Sequence, residues 1–403
     1  MINLELPRKI RGLTEQAHSV AERVFRPNSR TYDLAEHSYP KELDMLAAVI
    51  DGMDAAVDHG SGAAGVRRVE PNGGDKGVRN GTNMSTVASI MELCWGDVGL
   101  LLSMPRQGLG NAAVASVATE EQLARFGHLW ASMAITEPEC GSDSAAIRTT
   151  ARLDGDNYVL NGEKIYVTAG ERSQAVVVWA TLDRSLGRAA IKSFLVEKGT
   201  PGFTVERLEE KLGIRASDTA ALRLDDVRVP KENLLGTPDI NPERGFAGVM
   251  QTFDNTRPLV AGMAVGVARA ALERTRELLD EAGIRVDYDG PAIGQHAAAA
   301  EFLACEADYE AAYLLTLRAA WLADNGTPNS LEASMAKAKA GRSATDIALR
   351  CVALAGSVGY GEGELLEKWA RDAKILDIFE GTQQIQQLIV ARRLLNKTSQ
   401  ELR

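Results

Sequence analysis

The spacing of hydrophobic and polar positions changes twice along the chain. Up to about residue 130, apolar residues recur every three to four positions in LTEQAHSVAERVF, KELDMLAAVIDGM, MSTVASIMELCW and EEQLARFG, which predicts helices. A Gly-rich stretch, DHGSGAAGVRRVEPNGGDKGVRNG (58–81), interrupts them and reads as a mobile loop. The period then shortens. YVLNGEKIYVT (158–168) alternates around Asn161-Gly162, a pair that reads as the two-residue turn of a hairpin because both turn positions need positive φ. QAVVVWATL, AIKSFLVEK, FTVERL and ALRLDDVRVP continue the strand pattern to about residue 236, giving five or six strands. From about 243 the helical period returns. Phe302, Cys305, Tyr309, Tyr313 and Leu317 form a stripe that reads as bundle core, and further helical runs lie at 330–354 and 383–396. The expected fold is mainly α with a central β domain. Its expected parts are a helical domain (1–131), a middle β domain (132–240) and a C-terminal helical bundle (241–403).

Composition narrows the function classes. Aliphatic residues are plentiful and aromatic residues make up 5%, which suits tightly packed helices. A net charge of −10 disfavours nucleic acid and anionic membrane surfaces as partners. The four cysteines (Cys94, Cys140, Cys305, Cys351) form no CxxC pair and the five histidines show no metal-ligand spacing. A disulfide framework and a metal site are therefore not expected, and a reducing compartment is. MINLELPRKIRGL has no apolar signal region, and no run of 18 uncharged apolar residues occurs anywhere. The expectation is a cytoplasmic protein with no membrane span.

Two short motifs compete for attention. GLGNAA (108–113) fits a dinucleotide fingerprint, but a second helical run, VATEEQLARFG, follows it where a βαβ unit is required, so it is set aside. AITEPECGSD (134–143) joins helical to β texture and gathers Thr136, Ser142 and several backbone amides into one short loop, an arrangement suited to an anion or polar ring. Near the other end, DIFEGTQQIQ (377–386) places a carboxylate, Glu380, between Phe379 and Gly381-Thr382. Glu380 is either a helix cap or solvated charge, or a catalytic base.

The latter two motifs belong to a series. AITEPECGSD, LNGEKIYVTAG (160–170), KLGIRASDTAALRLDDVRVPKENLLG (211–236), FDNTRPLVAGMAVGVARAAL (253–272) and RDAKILDIFEGTQQIQQLIVAR (371–392), in that order, resemble the acyl-CoA dehydrogenase family over essentially the whole chain. The resemblance implies that family's fold: a helical N-terminal domain, a β-barrel-like middle domain and a C-terminal four-helix bundle, with FAD between the last two. It implies α,β-dehydrogenation of an acyl-CoA to the trans-2-enoyl-CoA, with the β-hydrogen leaving as hydride to flavin N5 and electrons passing to an electron-transferring flavoprotein. Glu380 then stands at the position of the family's α-proton base. Enclosure beside Phe379 would raise its basicity, and Gly381 would allow close backbone approach. Some relatives carry the base beside the arginine of the FDNTR segment, where this chain has Thr256, which cannot serve as one.

Other roles follow from the resemblance residue by residue. Ile135, Thr136 and Ser142 match flavin and phosphate contacts, with Ser142 also near the CoA. Tyr166, Val167 and Thr168 match the flavin's far face, where Trp is frequent in place of Tyr166. Asp254 and Arg257 match CoA-side positions, with an Asp254–Arg257 pair of purely structural role as the alternative. Thr382 and Gln384 match FAD contacts at the start of the last helix.

The chain departs from the family pattern in two places. RVDYDGPAIGQH (285–296) keeps Arg285 and Tyr288 of a motif that reaches a neighbouring subunit's FAD, but has Asp289 for Gly and His296 for Gln. Ala353 stands where Gln is usual, before Ala355-Gly356-Ser357. Two assemblies fit: a homotetramer, or a heterotetramer in which a paralogous chain supplies the trans contacts to FAD. An oxygen-using acyl-CoA oxidase-like enzyme and a non-catalytic or half-site subunit of a flavoprotein complex are the rival functions. Acyl length and branching, up to a steroid side chain, stay open.

Overall fold

The computed structural model describes residues 6–48, 81–105, 109–240, 247–398 and 401, with backbone alone over 247–255. Most of the Gly-rich stretch 58–81 lies outside the described residues. Helices α1 (Arg8–Val20) and α2 (Arg26–Leu34) run end to end through a π turn, Ala21–Phe25. Helix α3 (Thr82–Gly96) buries Val87, Ala88, Met91 and Cys94, one face at helical spacing. Asp97 then caps α4 (Val98–Leu102) by accepting a 2.8 Å hydrogen bond from Leu100 N. Helices α5 (Leu109–Val117) and α6 (Glu120–Phe126) follow, the second opened by a capping box of Thr119 and Gln122. Residues 109–113 of GLGNAA therefore lie within a helix that itself follows a helix.

Seven strands come next: β1 (Ala131–Ala134), β2 (Thr150–Asp154), β3 (Asn157–Thr168), β4 (Ala175–Thr181), β5 (Ile191–Glu197), β6 (Phe203–Leu208) and β7 (Thr219–Pro230). They form one sheet. β4 pairs with β5 on one side and with β1 and β2 on the other, and the order continues β2-β3-β7-β6. The count exceeds the expected five or six because β1 (ASMA) and β2 (TARLD) are too short to show alternation. The Asn161-Gly162 hairpin is a misreading. β3 runs straight through both residues, and the turn lies earlier, at Gly155 (φ 63°) between Asp154 and Asn157. Asn161 instead exchanges two hydrogen bonds with Asp226 across a register shift in the β3–β7 ladder. Gly162 is required by proximity, since a Cβ there would stand 2.4 Å from Thr149 Oγ1.

The remaining chain forms α7 (Ala247–Glu281), α8 (Ala297–Asp324), α9 (Ser330–Tyr360), α10 (Leu366–Leu376) and α11 (Gln383–Leu395). Phe302 and Cys305 of the aromatic stripe are buried, with Tyr309, Tyr313 and Leu317 packed against the same core. Small residues let helices touch backbone to backbone: a Cβ on Gly266 of α7 would lie 2.3 Å from Met91 O of α3. α9 runs past residue 354 to Tyr360, interrupted at Gly356 (φ 59°). α10 went unread in the sequence because its run is broken by charges.

One buried charge cluster fastens these parts together. Lys368 Nζ on α10 donates to Asp97 Oδ2 (2.7 Å) and Asp372 Oδ2 (2.5 Å), and all three side chains are out of contact with water. Asp97 also accepts from Ser29 of α2 (2.5 Å), and Asp372 from Ile214 N in the loop before β7 (2.5 Å). Around it, Arg371 pairs with Asp33 and donates to Leu212 O. The sheet, the first helices and the bundle thus meet at α10, directly before Glu380.

Candidate active site

The loop after α10 is short and strained. Ile378 N and Phe379 N both return to Ile375 O, and the chain then reverses through two consecutive left-handed residues, Glu380 (φ 58°) and Gly381 (φ 89°). Glycine takes that conformation at no steric cost, whereas a glutamate there costs on the order of 1 kcal/mol or more. Side chains from two helices hold the turn. Gln386 Nε2 donates to Glu380 O (2.9 Å) and Gly381 O (3.1 Å), and Lys337 Nζ on α9 donates to Gly381 O (2.8 Å). A Cβ on Gly381 would meet Gln386 Nε2 at 2.6 Å, so the clamp itself demands glycine. The cap of α11 is Thr382, whose hydroxyl accepts from Ile385 N; Glu380 does not cap it.

The Glu380 carboxylate faces α7. Thr256 Oγ1 donates to its Oε2 at 2.9 Å. Loss of water pushes the carboxyl above the usual carboxylate range, against the opposing pull of Thr256, Arg257 and Lys337. Burial brings Lys337 down to about 8, although Asp377 and Glu380 favour its charged form. Phe379 packs against the bundle core, and Arg257, next to Thr256, is buried within electrostatic reach of Glu380. Asp254 belongs to α7, but its side chain lies outside the described residues.

A second group forms on the sheet. Glu137 and Cys140 bond each other's backbone, closing the EPEC turn. The Glu137 carboxylate accepts from Arg148 N (2.6 Å), Thr149 N (3.0 Å), Thr149 Oγ1 (2.6 Å) and Lys164 Nζ (2.8 Å), and Lys164 also donates to Ile135 O (3.0 Å). Ile165 N donates to Thr136 O at 2.9 Å. This buried pair joins the Ile135-Thr136 loop to β3 just before Tyr166. At Tyr166 the β3–β7 register slips, the backbone turns left-handed (φ 57°), and the ring is held out 63% exposed while Val167 beside it is buried. Thr168 is half-buried and Ser142 exposed.

The two groups gather most of the sequence candidates, but not all. Gln384 is exposed on α11, and Arg285 is exposed beyond the end of α7. The altered 285–296 segment closes on itself. Gln295 bonds Asp287 N, Asp287 O and Gly290 O, His296 Nδ1 caps α8 by accepting from Ala298 N, and the Tyr288 hydroxyl bridges Arg276 and Glu306. Sequence reasoning missed Lys337, Gln386, Glu137 and Lys164, and gave Thr256 no part. Lys337 left a trace: it falls among Ala333, Ala336, Ala340 and Ala344, a helix face made for burial.

Known proteins resemble the chain in both its middle and C-terminal parts. Residues 132–227 match the family model for the acyl-CoA dehydrogenase middle domain, and residues 243–395 that for the acyl-CoA dehydrogenase C-terminal domain. The chain is similar to a short-chain specific acyl-CoA dehydrogenase of Clostridium acetobutylicum, at 34% identity over 76% of this chain and 80% of that protein. A mitochondrial short-chain specific acyl-CoA dehydrogenase of Bos taurus is 43% identical over 65% of this chain, and the match spans 62% of the bovine protein's length. Among solved structures, butyryl-CoA dehydrogenase from Megasphaera elsdenii superposes with a TM-score of 0.80 at 30% identity, covering 98% of this chain and 100% of that one.

Proposed function

The chain belongs to the acyl-CoA dehydrogenase family, and from that premise we propose that it performs FAD-dependent α,β-dehydrogenation of an acyl-CoA thioester with Glu380 as the α-proton base. The observation that carries this reading is the Glu380 carboxylate itself: half-buried, pushed up by partial loss of water, hydrogen-bonded to Thr256, and mounted on a strained turn that two buried side chains hold. Strain and desolvation in one carboxylate are costly for a purely structural residue and useful for a base.

The sheet group fits a flavin. An aromatic ring held 63% exposed on a left-handed backbone suits a planar ring system that would cover it. Tyr166, Val167 and Thr168 are assigned to that ring, Ile135, Thr136 and Ser142 to its polar edge and phosphates, and Thr382 and Gln384 to the phosphate side at the start of α11. Bound FAD supplies the acceptor for the β-hydrogen and its electron pair. The chain's own residues do the proton chemistry. With Oε2 held by Thr256, Oε1 of Glu380 is the oxygen assigned to the α-proton. Partial burial makes the carboxylate a stronger base than in bulk solvent, and an acyl chain against Phe379 would strengthen the effect. Arg257 and Asp254 are assigned to the CoA side, with Gly381 giving the thioester close access to the backbone.

An electron-transferring flavoprotein is the proposed acceptor, and the named relatives support a short straight acyl chain as the first substrate class. With domain bounds proposed at residues 131 and 240, the proposed site would lie between the middle β domain and the C-terminal bundle. Absorbance of the purified chain gives FAD per subunit, and acyl-CoA-dependent dye reduction gives activity across acyl lengths. FAD binding with turnover of butyryl-CoA or a longer homologue supports the reading; stoichiometric FAD with no acyl-CoA oxidised contradicts it. Little FAD until a paralogous chain is co-expressed supports the heterotetramer, as the self-closed 285–296 segment does; one FAD per chain alone supports the homotetramer.

A further inference from the structure

We propose that Lys337 is a positioning residue for Glu380: its ammonium holds the Glu380–Gly381 turn through the Gly381 carbonyl and supplies the positive charge against which the Glu380 carboxylate works. The inference rests on Glu380 being the base.

The placement begins with close helix packing. A Cβ on Gly341 would lie 2.6 Å from Leu376 O and 3.1 Å from Asp377 Cα, so α9 meets the end of α10 backbone to backbone. One turn earlier on α9, Lys337 therefore reaches the 377–381 loop, and its side chain is wholly buried. Lysine is rarely buried so deeply without a carboxylate partner in contact. Its ammonium instead donates to Gly381 O, at 2.8 Å. A neutral amide does the same work: Gln386 donates to that carbonyl at 3.1 Å and to Glu380 O at 2.9 Å. The hydrogen bond alone therefore does not account for a charge at this position.

The charge has a different use. Among the described residues, the groups facing Glu380 are Thr256 and Arg257 from α7 and Lys337 from α9, while Asp377 from the loop and Arg257 act on Lys337, and Asp377 pairs with Lys374 at 3.1 Å. Desolvation drives the Glu380 carboxyl toward its neutral form, in which it cannot accept the α-proton. Lys337 opposes that drive through space while its ammonium fixes the backbone that aims the carboxylate. Burial lowers Lys337 to about 8, which leaves it mostly protonated at neutral pH.

The test compares Lys337→Met, Lys337→Gln and Lys337→Arg by the pH profile of kcat/KM, with FAD content and thermal midpoint as controls. Met and Gln remove the charge, so the acid limb should move up by about half a pH unit, equivalent to about threefold lost activity below it. Gln keeps a donor and should retain more kcat than Met, with KM changed less than kcat in both. Arg should restore the limb. A lower thermal midpoint with an unmoved acid limb overturns the inference and leaves Lys337 structural. A wild-type chain that oxidises no acyl-CoA at any pH overturns the base assignment and this inference with it.

A reciprocal measurement serves if the Lys337 variants fail to fold. Lys337 is lowered from 10.5 to about 8 in the folded chain, so unfolded chains bind the extra proton between those values and stability rises with pH across that window. Glu380→Gln removes a carboxylate that favours the ammonium. The rise in thermal midpoint should then begin at lower pH than in the wild type. An unchanged profile overturns the coupling.

Discussion

Glu380 joins two features that rarely coincide by chance, a left-handed backbone and a carboxyl pushed up by loss of water. Thr256 is the counterweight. Its hydroxyl donates to Oε2 and so favours the ionised form. A hydrogen bond worth about 0.5–1.5 kcal/mol corresponds to about 0.4–1 pH unit. Thr256→Val keeps the volume and removes the donor, so the acid limb of kcat/KM should move up by that amount. Activity should be lost as pH falls through the raised pKa, because only the ionised carboxylate takes a proton. A limb unmoved in the valine variant would mean that Thr256 does not tune the carboxylate. Thr256 also illustrates the limit of reading one residue at a time. As a base it is useless; as a donor to a residue 124 positions away it is not, and nothing local announces that pairing.

At the scale of elements, the sheet's candidate residues depend on a pair that no motif advertises. Glu137 and Lys164 are both buried, and between them they hold the 135–137 loop, residues 148–149 and β3 in one arrangement. Loss of water opposes ionisation of Glu137, but Lys164 and the hydrogen bonds outweigh it and hold the carboxyl below its usual range. Its stabilising contribution is therefore present above the ordinary carboxylate pKa and lost as pH falls through the lowered one. Glu137→Gln leaves the Lys164 ammonium buried without its counter-charge and should cost about 3–5 kcal/mol. The thermal midpoint should fall at pH 7, with the difference from wild type narrowing in acid. An unchanged midpoint would show the pair to be dispensable. Periodicity made most helices and the longer strands legible, because each has a buried face. It failed at β1 and β2, which are too short to show a period, and at Asn161-Gly162. There a turn-forming pair is used as a mid-strand irregularity, its side chain spent on Asp226 and its glycine forced by Thr149.

The molecule as a whole converges on α10. Lys368 is the cation between Asp97 and Asp372, and the cluster reaches α2, α4 and the loop before β7. Lys368→Met would strand two buried carboxylates. A loss of about 3–5 kcal/mol is expected, visible as a lower or less cooperative thermal transition; an unaltered transition would show that the parts dock without it. Such a network joins residues up to 271 positions apart and is invisible to any local pattern. The ordered series of motifs, by contrast, carried the family, and within it the role proposed for Glu380. The supporting clamp of Lys337 and Gln386 emerges only when α9 and α11 are folded against the loop. The central claim is that Glu380 removes the α-proton, and its most direct measurement is anaerobic bleaching of bound flavin by an acyl-CoA in wild type and in Glu380→Gln. The expected result is a bleaching rate lower by about 10²–10⁴-fold in the variant with acyl-CoA binding retained. Bleaching at the wild-type rate in Glu380→Gln would contradict it and assign the proton to another group.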